Sequence, residues 1–214
     1  MRIERFPLGP LWTNGYLFVD DERRAFFVDP GGDPEEVIVR LRRDALSLEA
    51  IILTHGHVDH IAGVSRLAEE TGAIVVISAR DATMLSDPDE SLSRWLGVSF
   101  PPARPGRTIS DGDLLRVGDM ELEFFDTPGH TEGSVCVLVR HGAERVLLSG
   151  DTLFARSVGR TDLPGGDSDA LEKSLGKLAS FPDTLRVLPG HGPETTIGVE
   201  RLSNPYWPRL GQDA

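Results

Sequence analysis

Metal-ligating side chains directly follow the apolar, strand-like runs of this chain, and this placement restricts its fold more than any other feature. Five of the six histidines lie in such positions. The densest segment covers residues 55–60, of sequence HGHVDH, after the apolar run 50–53; His130, Asp151 and His191 follow later runs. Imidazoles and carboxylates are the ligands that zinc, iron and manganese take. The pattern therefore predicts a metal site at the ends of neighbouring strands.

The apolar periodicity predicts strands followed by helices, twice over. The predicted strands cover residues 15–19, 25–28, 50–53, 74–77, 114–117, 122–125, 134–139, 145–148 and 186–188. The predicted helices are one opened by Pro34, one with Ile61, Val64, Leu67 and Ala68 on its buried face, one over 169–179 with a capping box from Asp169 to Glu172, and one near 197–202. This order indicates an α/β (α+β) fold in one domain over residues 1–214, with two β-sheets packed face to face and helices on the outer faces. The proline-rich segment 81–107 is expected to be irregular, as an insertion or a lid.

Composition and charge argue against several classes of partner. The formal net charge of −12 disfavours nucleic acid and anionic membranes, both of which attract basic patches. No stretch approaches the roughly 18 consecutive apolar residues of a membrane span. The single cysteine, Cys136, excludes an internal disulfide and fits a reducing compartment. Because the N-terminal segment also lacks the apolar core of a signal peptide, we expect a cytoplasmic protein.

Alternation within the first histidine segment suggests how the ligands divide between two ions. Residues 55, 57 and 59 alternate, so in extended backbone their side chains project to one side. The predicted ligands of one ion are His55, His57 and His130, those of the other are Asp59, His60 and His191, and Asp151 bridges the two. Each ion keeps a position for water, which is typical of a catalytic site. An isolated Asp59 would be interpreted as a helix N-cap, but the density of ligands around it favours a metal site.

Four further residues outside the predicted ligand sets have chemically reactive or charged side chains. Asp29 follows a strand and is either a turn residue or a hydrogen-bond acceptor for a ligand histidine. Arg160 is either a structural surface residue or the contact for an anionic substrate group. Cys136 alternates with apolar neighbours and is expected to be an inert core thiol, and His141 is expected to be an exposed turn residue.

Four motifs together resemble the metallo-β-lactamase superfamily: THGHVDH at 54–60, TPGHT at 127–131, SGD at 149–151 and PGH at 189–191. The resemblance extends from about residue 14 to residue 205, with the motifs in the expected order. It implies the αββα sandwich, with the metal site at one edge between the sheets, and it supports the same division of ligands. The segments 151–154 and 159–163 and the closing pair Asn204-Pro205 resemble, more narrowly, the short glyoxalase II-like (hydroxyacylglutathione hydrolase-like) enzymes.

The resemblance implies a binuclear metallohydrolase that cleaves a small-molecule thioester or related ester, with glutathione-linked thioesters among the candidates. Two divalent ions, zinc in the first place and iron or manganese as alternatives, would hold a bridging hydroxide as nucleophile. Asp59 would be catalytic as well as a ligand, because it would orient that hydroxide. Typical glyoxalase II enzymes hold glutathione with a C-terminal helical region that this chain does not show before Ala214, which speaks against a site dedicated to glutathione.

A second reaction class has a similar motif set. Persulfide dioxygenases share the fold, the ligand motif and the segment at 159–162. In that alternative a single iron would be held by His55, His130 and Asp151, which leaves open positions for oxygen and sulfur ligands. The pair His191-Gly192 resembles the hydrolases more closely, so the hydrolase is the first prediction.

Overall fold

Two six-stranded β-sheets form the centre of the computed structural model, which describes residues 1–208. The strands of the first sheet, in spatial order, are β1 Arg2–Leu8, β2 Thr13–Val19, β3 Arg24–Val28, β4 Ser47–Ile52, β5 Ile74–Ser78 and β6 Arg107–Ile109. The strands β1, β2 and β3 pair antiparallel, whereas β3 to β6 run parallel. Parallel neighbours end at the same edge of a sheet, so the residues that follow β3, β4 and β5 lie close together.

The second sheet is mainly antiparallel. Its strands are β7 Leu114–Val117, β8 Met120–Asp126, β9 Val135–His141, β10 Glu144–Gly150, β13 Arg186–Pro189 and β14 Thr195–Thr196. The pair β10 and β13 is parallel, with Gly150 opposite Pro189. A two-stranded hairpin, β11 Leu153–Phe154 and β12 Ser157–Val158, follows β10. The parallel pair brings the residues after β10 and after β13 to one edge.

Helices cover the outer face of each sheet. They are α1 Glu35–Arg43, α2 Val58–Ile61, α3 Val64–Thr71, α5 Ser168–Leu178 and α6 Ile197–Ser203, whereas α4 Ser93–Leu96 lies in the irregular segment 81–107. One apolar layer joins the first sheet to α1, α2 and α3, and another joins the second sheet to α5 and α6. Between the two sheets lies a third layer that includes Phe18, Phe26, Leu122 and Phe124. The predicted αββα sandwich is confirmed.

Two local predictions were wrong. The helix expected after the histidine segment is divided into α2 and α3 at Gly63. Gly63 donates its N–H to Pro30 O, and a Cβ there would lie 2.2 Å from Gly32 O, so a tertiary contact ends the first helix. The cap of α5 is Asp167, whose carboxylate accepts from the N–H groups of Asp169 and Ala170, and not the predicted Asp169.

The segment 81–107 is largely irregular, as predicted. It contains a single 3₁₀ turn, Ala82–Leu85, and the short helix α4, before its last residue enters β6. Across residues 1–208, no helix combines the length and the apolar character that crossing a bilayer demands.

Candidate metal centre

The seven predicted ligands converge at one edge of the sandwich, and we call them the cluster. The ligand atoms of three groups each lie within 4.8 Å of one another: His55, His57 and His130; Asp59, His60 and His191; and His55, His60 and Asp151. The first two groups are the two predicted ligand sets. Asp151 lies between them, with carboxylate oxygens 3.3 Å from His60 Nε2, 3.7 Å from His130 Nε2 and 3.6 Å from His191 Nε2.

Strand ends and turns place each member of the cluster. His55 follows β4, His57 caps the N-terminus of α2, and Asp59 and His60 lie in its first turn. From the second sheet, Asp151 follows β10 and His191 follows β13. Gly190 donates to Gly150 O at 2.8 Å, and a Cβ at Gly190 would lie 2.3 Å from Asp151 Oδ1. Only glycine therefore allows the loops after β10 and β13 to approach this closely.

Asp29 orients His60. Its Oδ2 lies 2.9 Å from His60 Nδ1, and the same carboxylate accepts from the backbone N–H and the hydroxyl of Thr54 at 2.8 and 2.7 Å. A carboxylate only accepts hydrogen bonds, so His60 Nδ1 carries a proton and donates it to Asp29, and Nε2 points into the cluster. Of the two interpretations of Asp29, the structure favours the hydrogen-bond acceptor.

Neighbouring oxygens orient two more imidazoles. The Thr54 hydroxyl donates to Asp29, so at 3.2 Å from His55 Nδ1 it acts as the acceptor. The main-chain oxygen of Arg160 accepts from His130 Nδ1 at 2.8 Å. Both rings therefore direct an unprotonated Nε2 into the cluster. His130 Nε2 lies 2.9 Å from His57 Nδ1, within hydrogen-bond distance.

Four buried polar atoms of the cluster show whether the donor set fits metal ions. The Nε2 atoms of His55, His57 and His60 and Oδ1 of Asp151 have no hydrogen-bond partner among the described residues. Buried polar atoms in proteins normally have a partner, so a concentration of unpartnered atoms at one place indicates a binding site. Imidazole nitrogen and carboxylate oxygen are the donors of divalent zinc, iron and manganese. The residues fit such ions.

Electrostatics hold most of the cluster in the forms that bind metal. Burial lowers the pKa of His55 well below its ordinary value and that of His57 from 6.5 to about 3, and nearby imidazoles add to the shift. Burial alone would raise the pKa of Asp59 and Asp151, but His60 and its histidine neighbours outweigh it and lower both. Neutral imidazoles and ionised carboxylates are the species that coordinate metal.

Asp81 is a supporting residue that the sequence reasoning missed. Its buried carboxylate accepts from Gly56 N–H in the histidine segment, and from the Thr131 hydroxyl and Gly133 N–H beside His130. Burial raises the pKa of this carboxyl even though all three donors oppose the shift. One signal was present in the sequence: Asp81 follows β5 much as Asp29 follows β3, at the same edge of parallel strands.

Five members of the cluster, namely His57, Asp59, His130, Asp151 and His191, line a cavity of about 340 Å³. Residues 91–96, which we call the wall segment, contribute Leu92, Trp95 and Leu96 to its side. Arg160 also lines the cavity, but its guanidinium donates twice to the Asp162 carboxylate, at 2.7 Å each. Cys136 lies in the core beneath α5, as expected. His141 was expected to be an exposed turn residue, but it is the half-buried last residue of β9 and contacts Asp119.

The chain matches known proteins over almost its whole length. Residues 8–191 match the family model described as the metallo-beta-lactamase superfamily. The hydroxyacylglutathione hydrolase GloC of Haemophilus influenzae is 34% identical over 209 residues, which cover 96% of this chain and 98% of that relative.

Two solved structures share the fold closely. The BLEG-1 B3 metallo-beta-lactamase superposes with a TM-score of 0.89 at 39% identity, covering 96% of this chain and 99% of its own. TTHA1623, solved in a di-iron-bound form, superposes with a TM-score of 0.84 at 38% identity, covering 95% of this chain and 99% of its own. The similarity therefore extends well beyond the histidine motif.

Proposed function

Since the chain belongs to the metallo-β-lactamase superfamily, we propose that it is a hydrolase that holds two divalent ions and cleaves a small-molecule thioester or a related ester. The proposed ligands of one ion are His55, His57 and His130, those of the other are Asp59, His60 and His191, and Asp151 is shared. Two ions held there would supply Lewis acidity and would lower the pKa of bound water to about 7. Zinc is the first candidate; iron is supported by the di-iron form of TTHA1623, and manganese accepts the same donors.

The lining of the cavity supports water as the nucleophile. Among the described residues that line it, none is a serine, threonine, cysteine, lysine or tyrosine. Its aspartates and histidines are all proposed ligands of the ions, so no other side chain of a nucleophilic type faces a substrate. Asp59 lines the cavity, and its lowered pKa keeps it ionised, so its carboxylate can accept a hydrogen bond from an attacking water and orient it. This is the catalytic role we assign to Asp59.

The lining of the cavity also favours a thioester as the substrate. Expelling an amine or a simple alkoxide requires a proton donor near the leaving atom, and the cavity offers histidines that are already assigned to the ions. A thiolate leaves without such help, because the pKa of a thiol is about 8.5. Water adds to the carbonyl carbon, the C–S bond breaks, and an acid and a thiol are released. The name of the Haemophilus influenzae relative, a hydroxyacylglutathione hydrolase, agrees with a thioester substrate.

The converging second ligand set favours hydrolysis over the persulfide dioxygenase alternative. A single iron held by His55, His130 and Asp151 would leave Asp59, His60 and His191 without a ligand role, yet their ligand atoms lie within 4.8 Å of one another. A cytoplasmic location forms part of the same proposal, on the ground of the single buried thiol.

The decisive experiment compares two metal forms on two reactions. Protein loaded with zinc under anaerobic conditions should cleave S-lactoylglutathione or a simpler thioester, because hydrolysis requires neither oxygen nor a redox-active metal. The iron(II) form with glutathione persulfide should consume no oxygen beyond the buffer rate. Oxygen uptake by the iron form, without thioester cleavage by the zinc form, would establish the dioxygenase instead.

A further inference from the structure

Apolar side chains form the walls above the cluster. They come from separate parts of the chain and include Leu11, Leu92, Trp95, Leu96, Phe154 and Val158. Trp95 is 67% exposed and Leu11 is 45% exposed, so both stand at the mouth of the cavity. Large apolar side chains grouped at the mouth of a cavity indicate contact with an apolar ligand.

Leu92 has a backbone conformation that is unfavourable for its residue type. Its φ of +63° lies in the left-handed region, which a leucine rarely adopts, yet its side chain is buried at the cavity wall. Such unfavourable backbone conformations persist at functional sites, where the surrounding structure enforces them. The conformation supplies an apolar surface above the cluster.

The charges around the cavity do not suit an anionic ligand. The cationic side chain of its lining, Arg160, already forms two hydrogen bonds with Asp162, and this pairing lowers the pKa of Asp162 to about 2. Beyond residues 158–160 a second groove begins, and its lining contains the same Arg160 and two carboxylates, Asp162 and Glu172. Apart from the proposed ions, the described lining therefore offers a substrate carboxylate no unpaired cationic side chain, and the formal net charge of −12 on the whole chain does not attract an anion.

From these walls and charges, and resting on the proposed function, we propose that the site selects the acyl part of its substrate: a thioester of a small apolar carboxylic acid, recognised without contacts to anionic groups of the thiol. The acyl chain lies against Leu92, Trp95 and Phe154, with its carbonyl carbon over the cluster. The volume of about 340 Å³ is near the lower end of the range for ligand cavities, about 300–1,000 Å³, so the acyl chain is short.

The first test varies the acyl chain and the thiol independently. The metal-loaded protein is assayed with acetyl, butyryl and hexanoyl thioesters of N-acetylcysteamine, an uncharged thiol, and with the same acyl groups on glutathione. We expect kcat/KM to rise by about fourfold for each methylene buried, and the glutathione series to be no better. A flat series, or glutathione thioesters at least about tenfold better for the same acyl group, would overturn the inference. If no thioester is cleaved above the rate of the Asp151→Ala variant, the proposed function itself fails.

A matched pair of tryptophan variants locates the acyl chain. Trp95→Ala should flatten the dependence on chain length without changing metal content, because it removes apolar wall and no ligand. Trp12→Ala is the control, since Trp12 is 73% exposed and is absent from the described lining of the cavity. An unchanged chain-length dependence in Trp95→Ala would contradict the assignment of the wall.

A binding measurement keeps the test independent of turnover. The thioether S-hexyl-N-acetylcysteamine cannot be hydrolysed, and calorimetry on the metal-free protein should show binding with a negative heat-capacity change, the signature of apolar burial. S-hexylglutathione should bind no more tightly. Tighter binding of the glutathione thioether would show that the anionic thiol is recognised and would overturn the inference.

Discussion

The cluster and the wall segment face the same cavity but are held in different ways. The cluster lies at the ends of paired strands, and buried carboxylates such as Asp29 and Asp81 orient its rings and loops. The wall segment belongs to an irregular stretch in which a four-residue helix carries Trp95 largely exposed. The difference suggests that metal binding depends on the sheets, whereas substrate choice is carried by a stretch that can vary without disturbing them.

The two regions are nevertheless joined at the start of α2. The N–H of Val58 donates to the main-chain oxygen of Ser91 at 2.8 Å. Val58 lies inside the histidine segment, and Ser91 begins the wall segment. A main-chain bond does not depend on side-chain identity, so the wall can exchange its side chains while keeping its position over the cluster.

The largest expected effect follows from removing the residue between the two ligand sets. Asp151→Ala should lower metal content at both proposed positions and abolish the proposed hydrolysis, because its carboxylate oxygens lie within 3.7 Å of Nε2 atoms from both ligand sets. Elemental analysis of the purified variant measures this, with His141→Ala as the control that should keep its metal. Full loading of both positions in Asp151→Ala would contradict the shared-ligand assignment.

Loss of a supporting carboxylate should weaken metal binding by an intermediate amount. Asp81→Asn keeps the shape of the side chain but removes the charge that accepts from Gly56 N–H, Gly133 N–H and the Thr131 hydroxyl. Residues that orient ligands typically contribute about 10–100-fold to metal affinity. Titration against a competing chelator measures the change. Asp89→Asn, an exposed position of the segment 81–107, should leave the metal affinity unchanged. Equal losses of metal affinity in Asp81→Asn and Asp89→Asn would contradict the supporting role of Asp81.

Protons should compete with metal at two histidines of the cluster. Burial lowers the pKa of His60 and His191, but the adjacent carboxylates Asp59 and Asp151 outweigh it and raise the pKa of both. Each ring therefore keeps its proton to higher pH and must release it to bind metal. We expect affinity to rise with pH by up to about tenfold per unit for each proton displaced. Chelator competition between about pH 6 and pH 8 tests this, and a pH-independent affinity would rule it out.

The smallest effect on metal binding is expected from the wall. Leu96→Ala removes part of the apolar lining without touching a ligand or a supporting carboxylate. Metal affinity in the same chelator titration should stay within about twofold of the unaltered protein, as for substitutions distant from a site. A loss comparable to that of Asp81→Asn would show that the wall helps to hold the cluster, and the two regions would no longer be separable.

The convergence of the seven cluster residues could be predicted from the sequence because their signal is local. Each follows an apolar run, and strand ends of one sheet edge meet whatever the details of the loops. The role of Asp81 could not be predicted, because its donors lie 25 and 50 residues away in Gly56 and Thr131. The break at Gly63 depends likewise on the approach of Gly32, a tertiary contact that helical periodicity does not encode.

The apolar residues of the wall segment could not be predicted from the sequence, for a different reason. Leu92, Trp95 and Leu96 lie in an irregular stretch, where neither the helical nor the strand period indicates which side chains face inward. Leu92 adopts a left-handed conformation that its residue type argues against. Side chains whose placement depends on strained backbone leave little trace in the sequence.

The position of the cluster between the sheets couples metal binding to the stability of the fold. His55, His57, Asp59 and His60 extend from the first sheet, and His130, Asp151 and His191 extend from the second. Ions bound there would act as a reversible cross-link that closes a long loop of chain, and such closures remove entropy from the unfolded ensemble. Resistance to unfolding would then depend on the free metal concentration around the protein. Metal depletion would then lower the free energy of unfolding and stop the proposed hydrolysis together.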